Sequence, residues 1–237
     1  ALFMSSNISR LGISLALLIL AIILKFSFKK KKILNVSSKE VTFLMTAFGI
    51  LYVGLFYLLG VFFYKFNRQL ILFKFKTLLY FIIPYIIIIA SSEIIRFTLL
   101  SQDGKIRIKN ISGDYSKTLA FIIMVLIDLI IYVGVYNITK LTDFLALLGF
   151  ISFASISCNL YYNYYSKRFG ILGIIIYRLI TVLYVYLIPV IPNMYIYFRS
   201  FLRMLYPYLM YIVIDGQRTV ERNHADGAAG VERIKLL

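Results

Sequence analysis

An all-α bundle of about seven membrane-spanning helices is the fold class this sequence predicts, on three observations. Of its 237 residues, 61% are hydrophobic and only 15% charged, against roughly 45–50% apolar and about 25% charged in a soluble domain. The apolar residues fall into runs of about 20, the length that crosses a ~30 Å hydrocarbon core at 1.5 Å rise per residue. Runs such as Phe81-Ile82-Ile83 and Ile86–Ile89 lack the period-two alternation of barrel strands. With a mean hydropathy of +0.87, a soluble globular domain and a disordered chain are both excluded.

The first run, Leu11–Phe28, carries Lys25 near its end, where a long cationic side chain snorkels to the interface. A signal peptide would show a small-x-small cleavage site and a positive cluster before the apolar stretch. Here the cluster Lys29–Lys32 follows it. The second run is Val41–Tyr64, whose Gly49, Gly54 and Gly60 miss the four-residue spacing of a dimerisation motif. The third, Thr77–Leu100, contains Pro84, Glu93 and Arg96, and the fourth, Thr118–Ile138, contains Asp128.

The fifth run, Phe144–Tyr162, holds Ser152, Ser155, Ser157, Cys158 and Asn159, small residues that permit close helix packing. It has no His or Lys to activate a nucleophile, so Cys158 reads as an inert thiol and no catalytic residue is assigned. The sixth, Ile171–Ile191, carries Arg178 and ends between Pro189 and Pro192, predicting a tight turn into the seventh, Asn193–Ile214. Arg199, Arg203 and Pro207 leave open that this last run begins as an interfacial helix. Composition then changes abruptly, dividing the chain into a transmembrane helical domain over 1–215 and a polar tail over 216–237.

Lys and Arg in short loops set orientation. Seven crossings place eight of the 26 basic residues on one side and sixteen on the other, leaving Arg96 and Arg178 within spans. The richer side is cytoplasmic, so the N-terminus is outside and the tail inside. The net charge of +16 thus faces a membrane surface rather than nucleic acid, and Lys29, Lys30, Lys31 and Lys32 are assigned to anionic lipid headgroups. Twenty Tyr without Trp suit interface anchoring, as for Tyr161, Tyr162, Tyr164 and Tyr165 beside Lys167-Arg168. One Cys and one His provide no metal-ligand cluster and no disulfide, and no cofactor is expected.

Among the charged residues inside the runs, four stand out at membrane depth: Glu93, Arg96, Asp128 and Arg178. Each costs at least ~2.5–3.5 kcal/mol at membrane depth, so such groups normally face the bundle interior and pair. Glu93 and Arg178 each lie seven residues from the cytoplasmic end of their runs, about 10 Å deep, and Asp128 about 15 Å deep. Glu93 and Arg96 share a helical face. Two acids and two bases make a neutral set, predicting one buried ionic cluster that ties the third, fourth and sixth spans together. Three readings remain open: a pin between helices, a proton or ion relay in a small transporter or lipid-handling protein, or an Arg96 that simply snorkels to the cytoplasmic interface.

The stretches SSKEVTFLMTAFGILYVGLFYLLGVFF, IIPYIIIIASSEIIRFTLLS, NLYYNYYSKRFGILGIIIYRLITVLYVYLIPVIPN and YPYLMYIVI, in this order over most of Ser37–Ile214, resemble the N-terminal multispanning region of signal peptidase I-like proteins of low-GC Gram-positive bacteria. The S-E-I-I-R element carries Glu93 and Arg96 and the I-Y-R-L element carries Arg178. The resemblance implies a non-catalytic domain of the bacterial cytoplasmic membrane, which would anchor a Ser/Lys protease domain and engage secretion machinery during signal-peptide processing. The Ser-x-Met box of that protease is not found in this chain, so no catalytic residue carries over.

Overall fold

The computed structural model of the chain describes residues 7–28, 39–68, 75–102, 115–133 and 140–235. Helices dominate it. They are α1 Asn7–Ser27, α2 Lys39–Phe63, α3 Phe75–Leu100, α4 Ser116–Val133, α5 over residues 141–169, α6 Leu172–Leu187 and α7 Ile196–Lys235. Two helices contain a π-helical turn, Leu78–Ile82 in α3 and Leu147–Ser152 in α5. The chain is thus mainly α-helical. Its α1, α2 and α3 are long and apolar enough to cross a membrane, and α6 is a shorter apolar helix.

One small sheet departs from the expected all-helical plan. Strand β1, Phe66–Arg68, follows α2, and β2, Val190–Pro192, follows α6; they pair antiparallel with Phe66 opposite Pro192. The expected tight turn at Pro189 and Pro192 is therefore an extended strand. The residue before a proline is pushed toward extended backbone, and a two-stranded ladder tolerates proline at its edge.

The pattern of burial on α2 shows why the helices assemble. Val41, Met45, Gly49, Tyr52, Phe56 and Gly60 are buried, a stripe at steps of three and four residues, while Phe43, Ile50, Leu58 and Phe62 on the other faces are exposed. Phe62 is 74% and Phe26 of α1 84% exposed. Apolar surface this extensive is costly in water and favourable in lipid.

Pairwise contacts fix the helix directions. Gly173 of α6 abuts Met45, Ile180 abuts Gly49, and the Tyr57 hydroxyl donates to the Val190 carbonyl at 2.5 Å. The numbers rise together, so α2 and α6 are parallel. Arg10 of α1 stacks 3.8 Å above Phe81, and Ala21 shares a core with Ile95 and Leu99, so α1 and α3 are parallel as well. Cys158 meets Arg203 and Tyr164 meets Asp215, making α5 and α7 parallel. The packed pairs α1–α3, α2–α6 and α5–α7 are thus parallel, as in a bundle whose successive helices reverse. Gly170, at φ 85°, ends α5 in a conformation essentially reserved for glycine and turns the chain into α6 within two residues.

Two prolines sit inside these helices, and a neighbouring helix caps the carbonyl that each leaves without its usual donor. Pro84 has no N–H for the Tyr80 carbonyl, which accepts from Arg10 Nη1 at 3.4 Å. Pro207 has none for the Arg203 carbonyl, which accepts from Cys158 Sγ at 3.3 Å. Neither proline ends its helix: α3 continues to Leu100, and α7 continues through Ile214 and Gly216 to Lys235.

Candidate functional site

Four helices converge on a buried polar centre. On α3, Ser92, Glu93 and Arg96 lie on one face, and all three are fully buried. Asp128 comes from α4 and Arg178 from α6. Ser155, Asn159, Tyr162 and Asn163 of α5, spaced at one helical turn or two, form the stripe that faces them.

The structure brings Glu93, Arg96, Asp128 and Arg178 into one ionic network. Glu93 sits between two guanidiniums: its Oε2 is 2.9 Å from Arg96 Nε, and its Oε1 accepts from Arg178 Nη1. The Arg96 contact is close but not linear, whereas Nη2 of Arg96 donates to Glu93 Oε1 at 3.3 Å. Arg178 Nη2 donates to Asp128 Oδ1 at 2.9 Å, and its Nη1 reaches Ser92 Oγ at 3.2 Å. Glu93 thereby links α3 to α6, and Arg178 carries the link on to α4.

Neutral side chains of α5 close the network. Asn159 Oδ1 accepts from Arg96 Nη2 at 2.6 Å, and its Nδ2 donates to Asp128 Oδ2 at 2.8 Å. Ser155 Oγ donates to the same Asp128 oxygen at 2.8 Å, and Arg96 Nη1 donates to Asn163 Oδ1 at 2.8 Å. The ring of Tyr162 lies 5.4 Å from the Arg96 guanidinium carbon and 5.7 Å from that of Arg178, a distance at which the ring quadrupole favours both cations. Two carboxylates and two guanidiniums balance in charge. Buried ions are tolerated only when paired and hydrogen-bonded in this way.

A cavity of about 410 Å³ adjoins the centre, bounded by Asp128 and Arg178 and extending toward Met194 and Arg199 at the end of the bundle that carries β1 and β2. Arg203 and five tyrosines also line it. At the opposite end of α5, Tyr164 donates to Asp215 at 2.8 Å and Arg168 lies 3.5 Å from the same carboxylate, partly exposed. Lys29–Lys32 lie outside the described residues. Among the described residues, no group of His, Cys, Asp and Glu could hold a metal ion.

Sequence reasoning found the four charges but not their neutral partners. Ser155 and Asn159 read as small packing residues, yet they bond directly to Asp128. The usable signal was spacing: Ser155, Asn159 and Asn163 recur every fourth residue, placing three polar groups on one face of an apolar helix. No protein-family model, curated protein or solved structure matches this chain.

Proposed function

We propose that the chain is the non-catalytic membrane domain of a signal peptidase I-like protein, anchoring a protease domain and presenting secretory precursors at the bacterial cytoplasmic membrane. It crosses that membrane seven times, with its N-terminus outside and the segment after Ile214 inside. The observation that carries this reading is the full use of the ionic centre in tying helices together. Glu93, Arg96, Asp128 and Arg178 pair with one another and with Asn159 across α3, α4, α5 and α6. Such a network fixes helix register, which a rigid membrane platform requires. The resemblance of Ser37–Ile214 supplies the protein class, and the Lys/Arg bias supplies the orientation.

Photo-crosslinking tests this. The purified chain is reconstituted in liposomes with a secretory precursor bearing a photoreactive residue in the apolar part of its signal peptide. Crosslinks without cleavage are expected, and they should vanish with a precursor whose apolar segment is replaced by a polar one. Equal labelling by both precursors would overturn the reading.

One observation favours a second reading, a small proton- or ion-coupled transporter or a lipid-handling protein. Asp128 and Arg178 line the cavity as well as pairing with each other, and ionisable residues facing a membrane cavity often mark ion paths. Proton flux into dye-loaded liposomes, lost in Asp128→Asn, would select it.

A further inference from the structure

The cavity beside the ionic centre is lined by hydrogen-bonding groups that the protein itself leaves unused. Arg178 engages Glu93 and Ser92 through Nη1 and Asp128 through Nη2, but among the described residues its Nε–H has no acceptor. Tyr177 and Ser200 line the same cavity, and among the described residues neither hydroxyl has a hydrogen-bond partner. None of the three residues is more than 9% exposed. Buried donors are almost always paired, with protein, water or ligand, because an unmet one is costly.

Water alone suits this wall poorly. About a dozen molecules fill 410 Å³, and most of them would lie against Ile89, Ile151, Val182 and Val185, whose side chains offer no hydrogen bond. An apolar body that carries one or two acceptors to the donors satisfies both parts of the lining. The acceptor is neutral, because the charge of Arg178 is already met by Glu93 and Asp128, and a carboxylate in the same place would stand against that of Asp128. The aromatic wall favours a flat group. The Tyr162 ring lies 5.7 Å from the Arg178 guanidinium carbon and edge-on to Tyr177 at 6.1 Å, while Tyr85 and Tyr186 stack at 5.5 Å.

We infer that this cavity binds a neutral, apolar carbonyl compound, with Arg178, Tyr177 and Ser200 donating to its oxygens and the tyrosine wall enclosing its body. The ring ketone of a quinone and the ester of a glyceride share this chemistry. The inference stands apart from the signal peptidase reading, because it rests on the unused donors of the cavity and not on any partner of the chain.

Thermal unfolding of the full chain, purified in an uncharged detergent, tests it with four probes: dimethylnaphthoquinone, dimethylnaphthalene, dioctanoylglycerol and naphthoate. A rise in unfolding temperature is expected with dimethylnaphthoquinone and none with dimethylnaphthalene, which has the same ring system without an acceptor. Tyr177→Phe removes a hydroxyl that has no partner among the described residues, so it should fold as the parent does and raise the half-saturating concentration about fivefold, the loss of one neutral hydrogen bond. Val182→Phe fills the cavity without touching a donor, so it should abolish the rise even if Tyr177→Phe fails to fold. A rise with dioctanoylglycerol in place of the quinone, sensitive to the same variants, supports the site and assigns it a glyceride ester. Equal rises with the quinone and the hydrocarbon, a rise confined to naphthoate, no rise with either carbonyl probe, or a rise that Val182→Phe leaves intact overturns the inference.

Discussion

Asn159 joins the two halves of the ionic centre: its Oδ1 accepts from Arg96 Nη2 at 2.6 Å, while its Nδ2 donates to Asp128 Oδ2 at 2.8 Å. The amide orientation follows from its partners, since the reverse would aim N–H at a guanidinium and oxygen at a carboxylate. Asn159→Leu keeps most of the volume but removes a partner from each of two buried ions. It should lower stability by about 2 kcal/mol, the upper range for polar contacts within membranes, measured by titration with a denaturing detergent. Asn159→Asp should cost more by setting a second carboxylate against Asp128, and adding Asp128→Asn to it should restore part of the loss.

Removing one member of the cluster strands another. Arg178 contacts Glu93, Asp128 and Ser92, so Arg178→Ala leaves two carboxylates with less compensation in a low-dielectric interior. A loss of about 3–5 kcal/mol is expected, and Glu93→Gln should also be strongly destabilising. Because both act on one network, the double variant should lose less than the two single losses combined. Thermal unfolding in detergent reads all three, and parental stability in Arg178→Ala and Glu93→Gln would mean that the network pins nothing.

Close approach, rather than charge, governs the end of the bundle near the small sheet. A Cβ at Gly60 would stand 2.6 Å from Pro192 Cγ and 2.8 Å from Phe66 Cζ, whereas one at Gly54 would meet nothing within 4 Å. Gly60→Ala must therefore displace a proline ring and the ladder that holds it. Gly54→Ala gains helix propensity alone. Opposite signs are expected in thermal unfolding: a loss for Gly60→Ala, and a gain of about 0.5–1 kcal/mol for Gly54→Ala.

What was legible in the sequence followed the size of the energies involved. Long apolar runs and charges within them are expensive anywhere but in a membrane and in pairs. The helices and the quartet of Glu93, Arg96, Asp128 and Arg178 could therefore be named from local pattern, and the equal depths of Glu93 and Arg178 followed from counting residues. Asn159 read as a packing residue and Tyr162 as an interface anchor, because a neutral polar or aromatic residue has many inexpensive placements. Tyr162 is instead buried at the ionic centre, and Asn163 falls just beyond its run. Arg199 and Arg203 looked like interfacial charges because they lie in the first turns of their helix. The pairing of Phe66–Arg68 with Val190–Pro192 depends on α2 and α6 packing side by side, a long-range relation that no short window contains.

Orientation is testable on the chain almost as it stands, because its one cysteine is silent. Cys158 is fully buried, with its Sγ against the Arg203 carbonyl, so a maleimide should label it only after denaturation. A cysteine placed on the surface then reports alone. Asn193 is exposed beside the small sheet, and Thr118 is exposed in the first turn of α4. In the proposed orientation the Thr118 side, with its excess of Lys and Arg, is cytoplasmic, and neither substitution alters the count of charges. In intact cells a membrane-impermeant maleimide should label Asn193→Cys promptly and Thr118→Cys only after permeabilisation. The reverse order would overturn the proposed topology.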